Sequence, residues 1–258
     1  MMDPNSGFCS LTKTYNSLRP DITLPQPSQP LSITQFIFSP HHSTAAATFE
    51  STFLINATTG NCLTYSDLVF QTKSLALCLR KHYSLSKGDV AFILSPHSFQ
   101  FPILFLSLLS LGVIISPAIP DDSISDINHL VDLSKPTIAF TTSYASYKLP
   151  SYLPTVVLID SPEFLSFFTH QYDEDHRDDV VRQHDGAAIF NSSGTSGPRK
   201  GVFDSQELNS SNCCHGQIIS YSAICSVIDY ACFDCCFRVE CDDEGGFNGK
   251  DSGFHGEH

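Results

Sequence analysis

The run from Asn191 to Val202 concentrates residues that can bind an anion. Gly194 and Gly197 lack side chains, so the backbone can bend there and present its N–H groups to a phosphate. Neighbouring hydroxyl groups add short-range donors, and the ammonium group of a lysine adds a mobile positive charge. The run is therefore a candidate anion-binding loop, and the residues that could contribute to it are Ser192, Ser193, Gly194, Thr195, Ser196, Gly197 and Lys200.

This run differs from a Walker loop, because the spacing G-x-x-x-x-G-K-[ST] is absent. A flexible Ser/Gly turn with a solvated lysine has a similar composition, and composition alone favours that alternative. The residues directly before the run, 186–190, form a short apolar segment. That segment predicts a strand that leads straight into the run.

Strands and helices alternate along the preceding part of the chain. Alternation with short connections is typical of right-handed βαβ units around a parallel sheet. The predicted fold is therefore α/β: an incomplete doubly wound parallel sheet with flanking helices, followed by an irregular C-terminal tail. Strands are predicted at 52–55, 62–64, 90–94, 113–115, 137–141, 155–160 and 186–190. One helix is predicted from a cap at Ser66 or Asp67 through Leu79, and a second, after the strand at 90–94, is predicted to end at Leu111. Further helices are predicted at 123–133 and at 163–168.

One apolar and one charged segment need a different interpretation. The apolar run at 101–115 is shorter than the roughly 20 residues of a membrane-spanning helix, and polar residues dilute it. It is predicted to be a buried helix that continues into a buried strand, so no membrane span is expected. Residues 172–185 are charged without periodicity, which predicts a surface loop.

The composition limits the possible classes of function. The 258 residues are 41% hydrophobic and carry a formal net charge of −13, and such a hydrophobic content is ordinary for a globular protein. The acidic balance argues against nucleic acid or an anionic membrane surface as a partner, because both require clustered Lys and Arg. No basic segment followed by an apolar core opens the chain. A cytoplasmic location with reduced cysteines is therefore expected.

The segment 192–202 (SSGTSGPRKGV) resembles the S-S-G-T-T-G-x-x-K-G-V signature of the acyl-adenylate-forming, AMP-binding superfamily. Ser196 stands where Thr is usual, and Pro198-Arg199 fills the variable pair before the lysine. Segments upstream are similar to plant 4-coumarate–CoA ligase-like proteins, and the resemblance covers about residues 6–202. These segments are 7–10 (GFCS), 15–20 (YNSLRP), 63–68 (LTYSDL), 85–90 (LSKGDV), 109–113 (LSLGV) and 133–136 (LSKP).

The resemblance implies an ATP-dependent acid–thiol ligase. It also implies that the β- and γ-phosphates of ATP are held by the cofactor-binding residues Ser192, Ser193, Gly194, Thr195, Ser196, Gly197 and Lys200. Such enzymes join a carboxylic acid to ATP, release pyrophosphate, and transfer the acyl group from acyl-AMP to coenzyme A, with Mg²⁺ as the metal. It implies an extended N-terminal segment at 1–32 and a partial ligase domain at 33–202, cut short after the phosphate loop and inactive alone. Some full-length relatives are peroxisomal, but no peroxisome signal is predicted at the C-terminus here. The acyl substrate, whether a hydroxycinnamate, a fatty acid or an oxylipin acid, stays open.

The tail at 203–258 differs in composition from the rest of the chain. It holds seven of the ten cysteines and has ten acidic residues against two basic ones. One alternative is a non-catalytic binding module in which Cys232, Cys235, Cys241 and His215 hold zinc. Zinc modules usually present two separated ligand pairs, whereas these cysteines are adjacent or scattered, so no metal site is predicted. The preferred interpretation is a disordered tail that is translated out of frame.

The reading frame provides the first testable prediction. Codons for residues 204–209, read one nucleotide later, permit Thr-His-Arg-Asn-Leu, which ligase relatives carry just after the phosphate loop. We expect the transcript, shifted by one nucleotide from about codon 203, to continue as ligase sequence. Sequencing the transcript across this region tests the prediction, and codons that encode an unrelated peptide in the shifted frame would contradict it.

Overall fold

A computed structural model describes residues 3, 6–15, 26–38, 52–56, 59–96, 98–170, 180–192, 198–206 and 237–238. The strands are β1 (Phe8–Cys9), β2 (Thr14–Tyr15), β3 (Thr52–Asn56), β4 (Cys62–Thr64), β5 (Val90–Leu94), β6 (Ile114–Ala118), β7 (Ile138–Thr141), β8 (Val156–Leu158), β9 (Gly186–Asn191), β10 (Gly201–Ser205) and β11 (Phe237–Arg238). The α-helices are α1 (Ile33–Ile37), α2 (Tyr65–Tyr83), α3 (Gln100–Ser110), α4 (Ile124–Ser134) and α5 (Pro162–Ser166), and 3-10 helices occupy Ser146–Lys148 and Phe167–Thr169.

A six-stranded sheet forms the centre of the molecule, in the order β10-β9-β6-β5-β7-β8. All neighbouring strands in it are parallel except β10, which runs antiparallel to β9. Strands β3, β4 and β11 form a separate small sheet, and β1 pairs with β2 in a hairpin within the N-terminal segment. The arrangement confirms the predicted α/β fold with a doubly wound parallel sheet.

Helices cover both faces of the sheet, as the alternation of side chains along β5 shows. Ala91 and Ile93 belong to the core cluster that contains α2, α3 and α5. Phe92 and Leu94 face the opposite way and belong to the cluster that contains α4. All four side chains have no exposed surface. Strands buried on both faces read as continuous apolar runs, which is why the sequence located β5.

Helix α2 shows how local sequence and packing agree. Leu68, Leu75 and Leu79 lie on its buried face with no exposed surface, as their spacing predicted. The cap, however, is Thr64, whose hydroxyl accepts a hydrogen bond from the backbone N–H of Asp67. The Asp67 carboxylate accepts the backbone N–H of Thr64 in return, at 3.2 Å. The prediction of Ser66 or Asp67 as cap was therefore wrong, since Asp67 is the third residue of a capping box.

The apolar run at 101–115 forms α3 and the start of β6, and its helical part is almost wholly buried. Strand β6 extends further than predicted, through Pro117 to Ala118. No helix among the described residues is long and apolar enough to cross a membrane. The interpretation of this run as core is thus confirmed for the part that the structure describes.

Two boundaries differ from the sequence prediction. In the expected surface loop at 172–185, the described part begins at Val180, and the side chains of Val181 and Gln183 are buried. Gln183 donates from Nε2 to the carbonyl oxygen of Gln26 at 2.7 Å, which fixes the N-terminal segment to the domain. The polarity of Gln183 suggested an exposed position, but a polar side chain can be buried where it finds a hydrogen-bond partner.

Ordered structure continues across the predicted boundary between the ligase domain and the tail at residues 202 and 203. Strand β10 continues to Ser205, and Gln206 is fully buried. The Gln206 side chain accepts from the N–H of Ile33 at 3.1 Å and donates to the carbonyl oxygen of Leu109 at 3.0 Å. These contacts join Gln206 to α1 and α3, while the boundary between domain and tail stays a prediction. The remainder of the tail, 207–236 and 239–258, lies outside the described residues, so its predicted disorder stays a prediction.

The turn between α3 and β6 leads to a prediction about Gly112. Its φ is +71°, and a Cβ there would lie 3.0 Å from Lys87 Cγ and 3.2 Å from Val181 Cγ2. Gly60 has a similar φ of +72° with no atom within 4 Å of such a Cβ. The backbone conformation alone costs about 1 kcal/mol in Gly60→Ala. Crowding should bring Gly112→Ala to about 2 kcal/mol. Urea unfolding measures the loss of unfolding free energy in both variants. Equal losses would contradict the close packing around Gly112.

The carboxylate of Asp185, at the entrance to β9, leads to a prediction about acid stability. Lys87 Nζ lies 2.7 Å from its Oδ2, and the backbone N–H of Arg182 donates to the same oxygen at 2.6 Å. Burial acts to raise the pKa of Asp185, but the hydrogen bonds from Lys87 and Arg182 and the lysine charge outweigh it, so the pKa is lowered.

The lowered pKa of Asp185 makes the folded state bind fewer protons than the unfolded state in mild acid. Its contribution to stability is complete above the unfolded pKa of about 3.9 and disappears as the pH falls through the lower folded value. Because Lys87 is partly exposed, solvent limits this contribution to about 1 kcal/mol or less. Asp185→Asn should flatten the unfolding free energy below about pH 4 relative to the unchanged chain, with exposed Asp121→Asn as the control. Equal slopes for Asp185→Asn and the unchanged chain would refute the assignment.

Candidate functional site

The two ends of the predicted phosphate loop are held together by a hairpin. Strand β9 ends at Asn191, opposite the first residue of β10, Gly201. Just beyond this pair, the N–H of Ser192 donates to the carbonyl oxygen of Lys200 at 2.9 Å. The N–H of Lys200 donates back to Ser192 Oγ at 3.0 Å. The loop therefore leaves and re-enters the sheet at one fixed point.

The structure brings together two of the predicted site residues, Ser192 and Lys200. Ser192 is half-buried at the end of β9, and Lys200 is exposed beside it. The other five lie outside the described residues, so their role stays a prediction. They are Ser193, Gly194, Thr195, Ser196 and Gly197.

The charge and hydrogen-bonding capacity at this point suit an anion. Within the part of the chain that the structure describes, no carboxylate lies within ion-pair distance of the Lys200 ammonium. Ser192 Oγ accepts the N–H of Lys200, which leaves its own proton available to donate. A phosphate oxygen near both groups would gain a charge-assisted contact and a hydroxyl hydrogen bond.

Arg199, next to Lys200, is occupied by a different partner. Its two terminal nitrogens donate to the two carboxylate oxygens of Asp122 at 2.6 and 2.7 Å. Its carbonyl oxygen accepts a hydrogen bond from His129 Nε2 at 2.8 Å. Asp122 lies between β6 and α4, and His129 lies on α4. Arg199 is therefore tied to the β6–α4 segment through both its side chain and its backbone.

The β6–α4 segment is itself held from behind by Lys148. Its ammonium donates to the carbonyl oxygen of Asp122 at 3.0 Å and also to that of Pro120. Lys148 ends the 3-10 helix that follows β7. The segment that binds Arg199 is thus connected to an element on the far side of β5.

Close packing brings α4 against the returning strand. A Cβ on Gly201 would lie 2.8 Å from Leu133 Cδ2 and 3.0 Å from Ile189 Cγ2. Only a residue without a side chain allows this approach without displacing its neighbours. The glycine after the lysine in the loop motif therefore has a packing role here.

The hairpin joins the sheet at its carboxyl edge. Strand β9 lies parallel to β6, with Ala188 opposite Ile115. At the strand ends, Asn191 Nδ2 donates to the carbonyl oxygen of Pro117 at 3.1 Å. Asn191 Oδ1 is buried and has no hydrogen-bond partner among the residues that the structure describes. Crevices at the carboxyl ends of parallel strands are the usual ligand sites of open α/β sheets.

In the described part of the chain, no three or more His, Cys, Asp or Glu side chains lie together in a group that could hold a metal ion. Cys9, Cys62 and Cys78 are free thiols. The cysteines of the tail lie outside the described residues, so the prediction that they hold no metal is untested.

Sequence reasoning missed the residues that hold the loop. Arg199 was assigned to a variable pair, and Asp122 and His129 were not singled out. Arg199 and Asp122 are 77 positions apart, and no local pattern indicates that an acidic residue beside a helix cap meets an arginine in a distant hairpin. The βαβ topology is the one signal available, because it places both residues at the carboxyl edge of adjacent strands.

Comparison with known protein families gives a match over most of the chain. The family of AMP-binding enzymes matches residues 42–237. The match extends beyond Val202, where the sequence resemblance was expected to end, so the boundary between ligase domain and tail stays a prediction.

Individual relatives come from plants. 4-coumarate–CoA ligase-like 9 of Arabidopsis thaliana is 44% identical over 213 residues, which cover 78% of this chain and 38% of the relative. Peroxisomal OPC-8:0-CoA ligase 1 of the same species is 34% identical over 215 residues, covering 79% and 38%. The chain thus spans about 38% of the length of these curated relatives.

Solved structures agree with the fold. ATP-bound MatB from Rhodopseudomonas palustris superposes with a TM-score of 0.58 at 18% identity. The superposition covers 70% of this chain and 36% of MatB. At this identity the likeness concerns the fold of the sheet and its helices.

Proposed function

Since this chain belongs to the family of AMP-binding enzymes, we propose that its β9–β10 hairpin holds the outer phosphates of ATP while a carboxylic acid is adenylated. The observation that carries the proposal is the pairing of Ser192 with Lys200 at the carboxyl edge of the sheet. The acid is a hydroxycinnamate, a fatty acid or an oxylipin acid. These classes are supported by the names of the relatives, one a 4-coumarate–CoA ligase-like protein and another an OPC-8:0-CoA ligase.

The hairpin's part in the reaction is electrostatic. When the acid attacks the α-phosphate of ATP, negative charge accumulates on the departing pyrophosphate. The Lys200 ammonium balances that charge, and the Ser192 hydroxyl donates a hydrogen bond to it. Donors fixed before the reaction do not have to reorganise as the charge develops, which lowers the barrier. Serine, threonine and glycine residues of the loop at 193–197 would add further donors.

Acyl transfer from the adenylate to coenzyme A is the proposed second step, and Mg²⁺ is the proposed metal. Among the described residues no cluster of side chains that could hold a metal is present, and the part proposed for the hairpin is to bind phosphate. The relatives include a peroxisomal ligase, while a cytoplasmic location is the one proposed here.

The 258-residue chain alone is proposed to be catalytically inactive. A phosphate loop stabilises a leaving group but does not orient the acid or hold the ribose. Orientation of reactants contributes roughly 7–11 kcal/mol to barrier reduction in well-organised sites. Losing it would cost many powers of ten in rate. The alternative, a non-catalytic binding module with a metal-holding tail, has no supporting contact among the described residues.

Two assays on the purified chain test the function. Isothermal titration should detect pyrophosphate binding, and Lys200→Ala should weaken it about tenfold or more because a charge-assisted contact is lost. Lys81→Ala is the matched control. It removes an exposed lysine from α2, which packs on the face of the sheet opposite α4. ATP–pyrophosphate exchange with cinnamic or fatty acids should stay at background.

Each assay can contradict a different part. Pyrophosphate affinity that is unchanged in Lys200→Ala would refute the phosphate site. Exchange that depends on the acid and disappears in Lys200→Ala would refute the inactivity of the isolated chain while supporting the site.

A further inference from the structure

The two neighbouring basic residues, Arg199 and Lys200, have different roles. This inference rests on the phosphate site proposed above. The Lys200 side chain is exposed and faces no carboxylate among the described residues. The Arg199 guanidinium is bound by both oxygens of Asp122, and the Asp122 side chain is only 9% exposed. A bidentate pair has one geometry, since the planar fork of arginine matches the carboxylate.

We propose that Asp122 and Arg199 are positioning residues that fix the returning arm of the phosphate loop on the β6–α4 segment and thereby set the direction of Lys200. The contacts that locate this arm include the ion pair, the bond from His129 to the Arg199 carbonyl, and the two bonds that join Lys200 to Ser192. They hold two consecutive residues from three sides. Lys200 can then direct only its flexible side chain toward a ligand.

The sign of one substitution separates positioning from simple electrostatics. Asp122→Asn removes a negative charge beside the site and releases the charge of Arg199. If charge alone mattered, both changes would strengthen the binding of an anion. If the pair positions Lys200, the loss of the fixed geometry weakens binding instead. The two accounts therefore predict opposite changes in affinity.

The neighbouring residue supplies a matched control. Asp121 is exposed and lies next to Asp122, so Asp121→Asn removes the same charge at nearly the same place without a contact to Arg199. Arg199→Lys keeps the positive charge but removes the bidentate fork. A second control is Arg182→Gln, which removes an exposed arginine outside the hairpin.

The experiment measures pyrophosphate affinity of the full chain by isothermal titration at low salt, with thermal unfolding as a check on folding. Asp122→Asn and Arg199→Lys should each weaken binding about tenfold, and Asp121→Asn should leave it unchanged or slightly stronger. The double variant Asp122→Asn/Arg199→Lys should bind no more weakly than either single variant, because both single changes break the same pair. Tighter binding by Asp122→Asn, or unchanged affinity in Arg199→Lys, would overturn the positioning role.

Amide hydrogen exchange separates this proposal from the proposed function. In Asp122→Asn the N–H groups of Ser192 and Lys200 should exchange about tenfold faster than in the unchanged chain, with no ligand present. If the unchanged chain failed to bind pyrophosphate, the phosphate site would be refuted. Unchanged exchange at these two amides would refute the positioning role independently.

Discussion

The structure at the site depends on the hydrogen-bonded closure of the β9–β10 hairpin at Ser192 and Lys200. A loop rich in serine and glycine has high conformational entropy, and its groups can face an anion only if its ends are fixed. Closure fixes both ends on the edge of a sheet in which four of the five residues of β5, and four of the five of β6, are buried. The rigid sheet determines the position of the loop's two ends, and the loop carries the groups that are proposed to bind phosphate.

Among the described residues of the hairpin, the two cationic side chains differ in their partners. The chain carries a net charge of −13, of which −8 belongs to residues 203–258. Asp122 neutralises Arg199 at the base of the loop. Lys200 keeps its charge exposed. Beside the anion site that we propose, this ion pair would hold the backbone of the hairpin without adding a competing positive charge.

The sequence predicted most of the sheet and little of what holds the site. Strands β5 and β7 and helix α4 were located because buried strands and capped helices have local signals. Ser192 and Lys200 were identified from the motif. Strand β10 was missed, because its residues Val202 and Phe203 are largely exposed, at 58% and 62%, and show no apolar periodicity. Gln206 was assigned to the tail because burial of a glutamine depends on partners from α1 and α3 that only the fold provides.

The most direct measurement of the central claim is a residue-resolved NMR titration of the chain with pyrophosphate. The account predicts saturable shifts of the backbone amides of Ser192, Lys200 and Gly201, with little change elsewhere in the described sheet. The opposite end of the sheet has a cavity lined by residues including His82, Tyr83 and Thr155. Saturable shifts there, with the hairpin amides unmoved, would contradict the account.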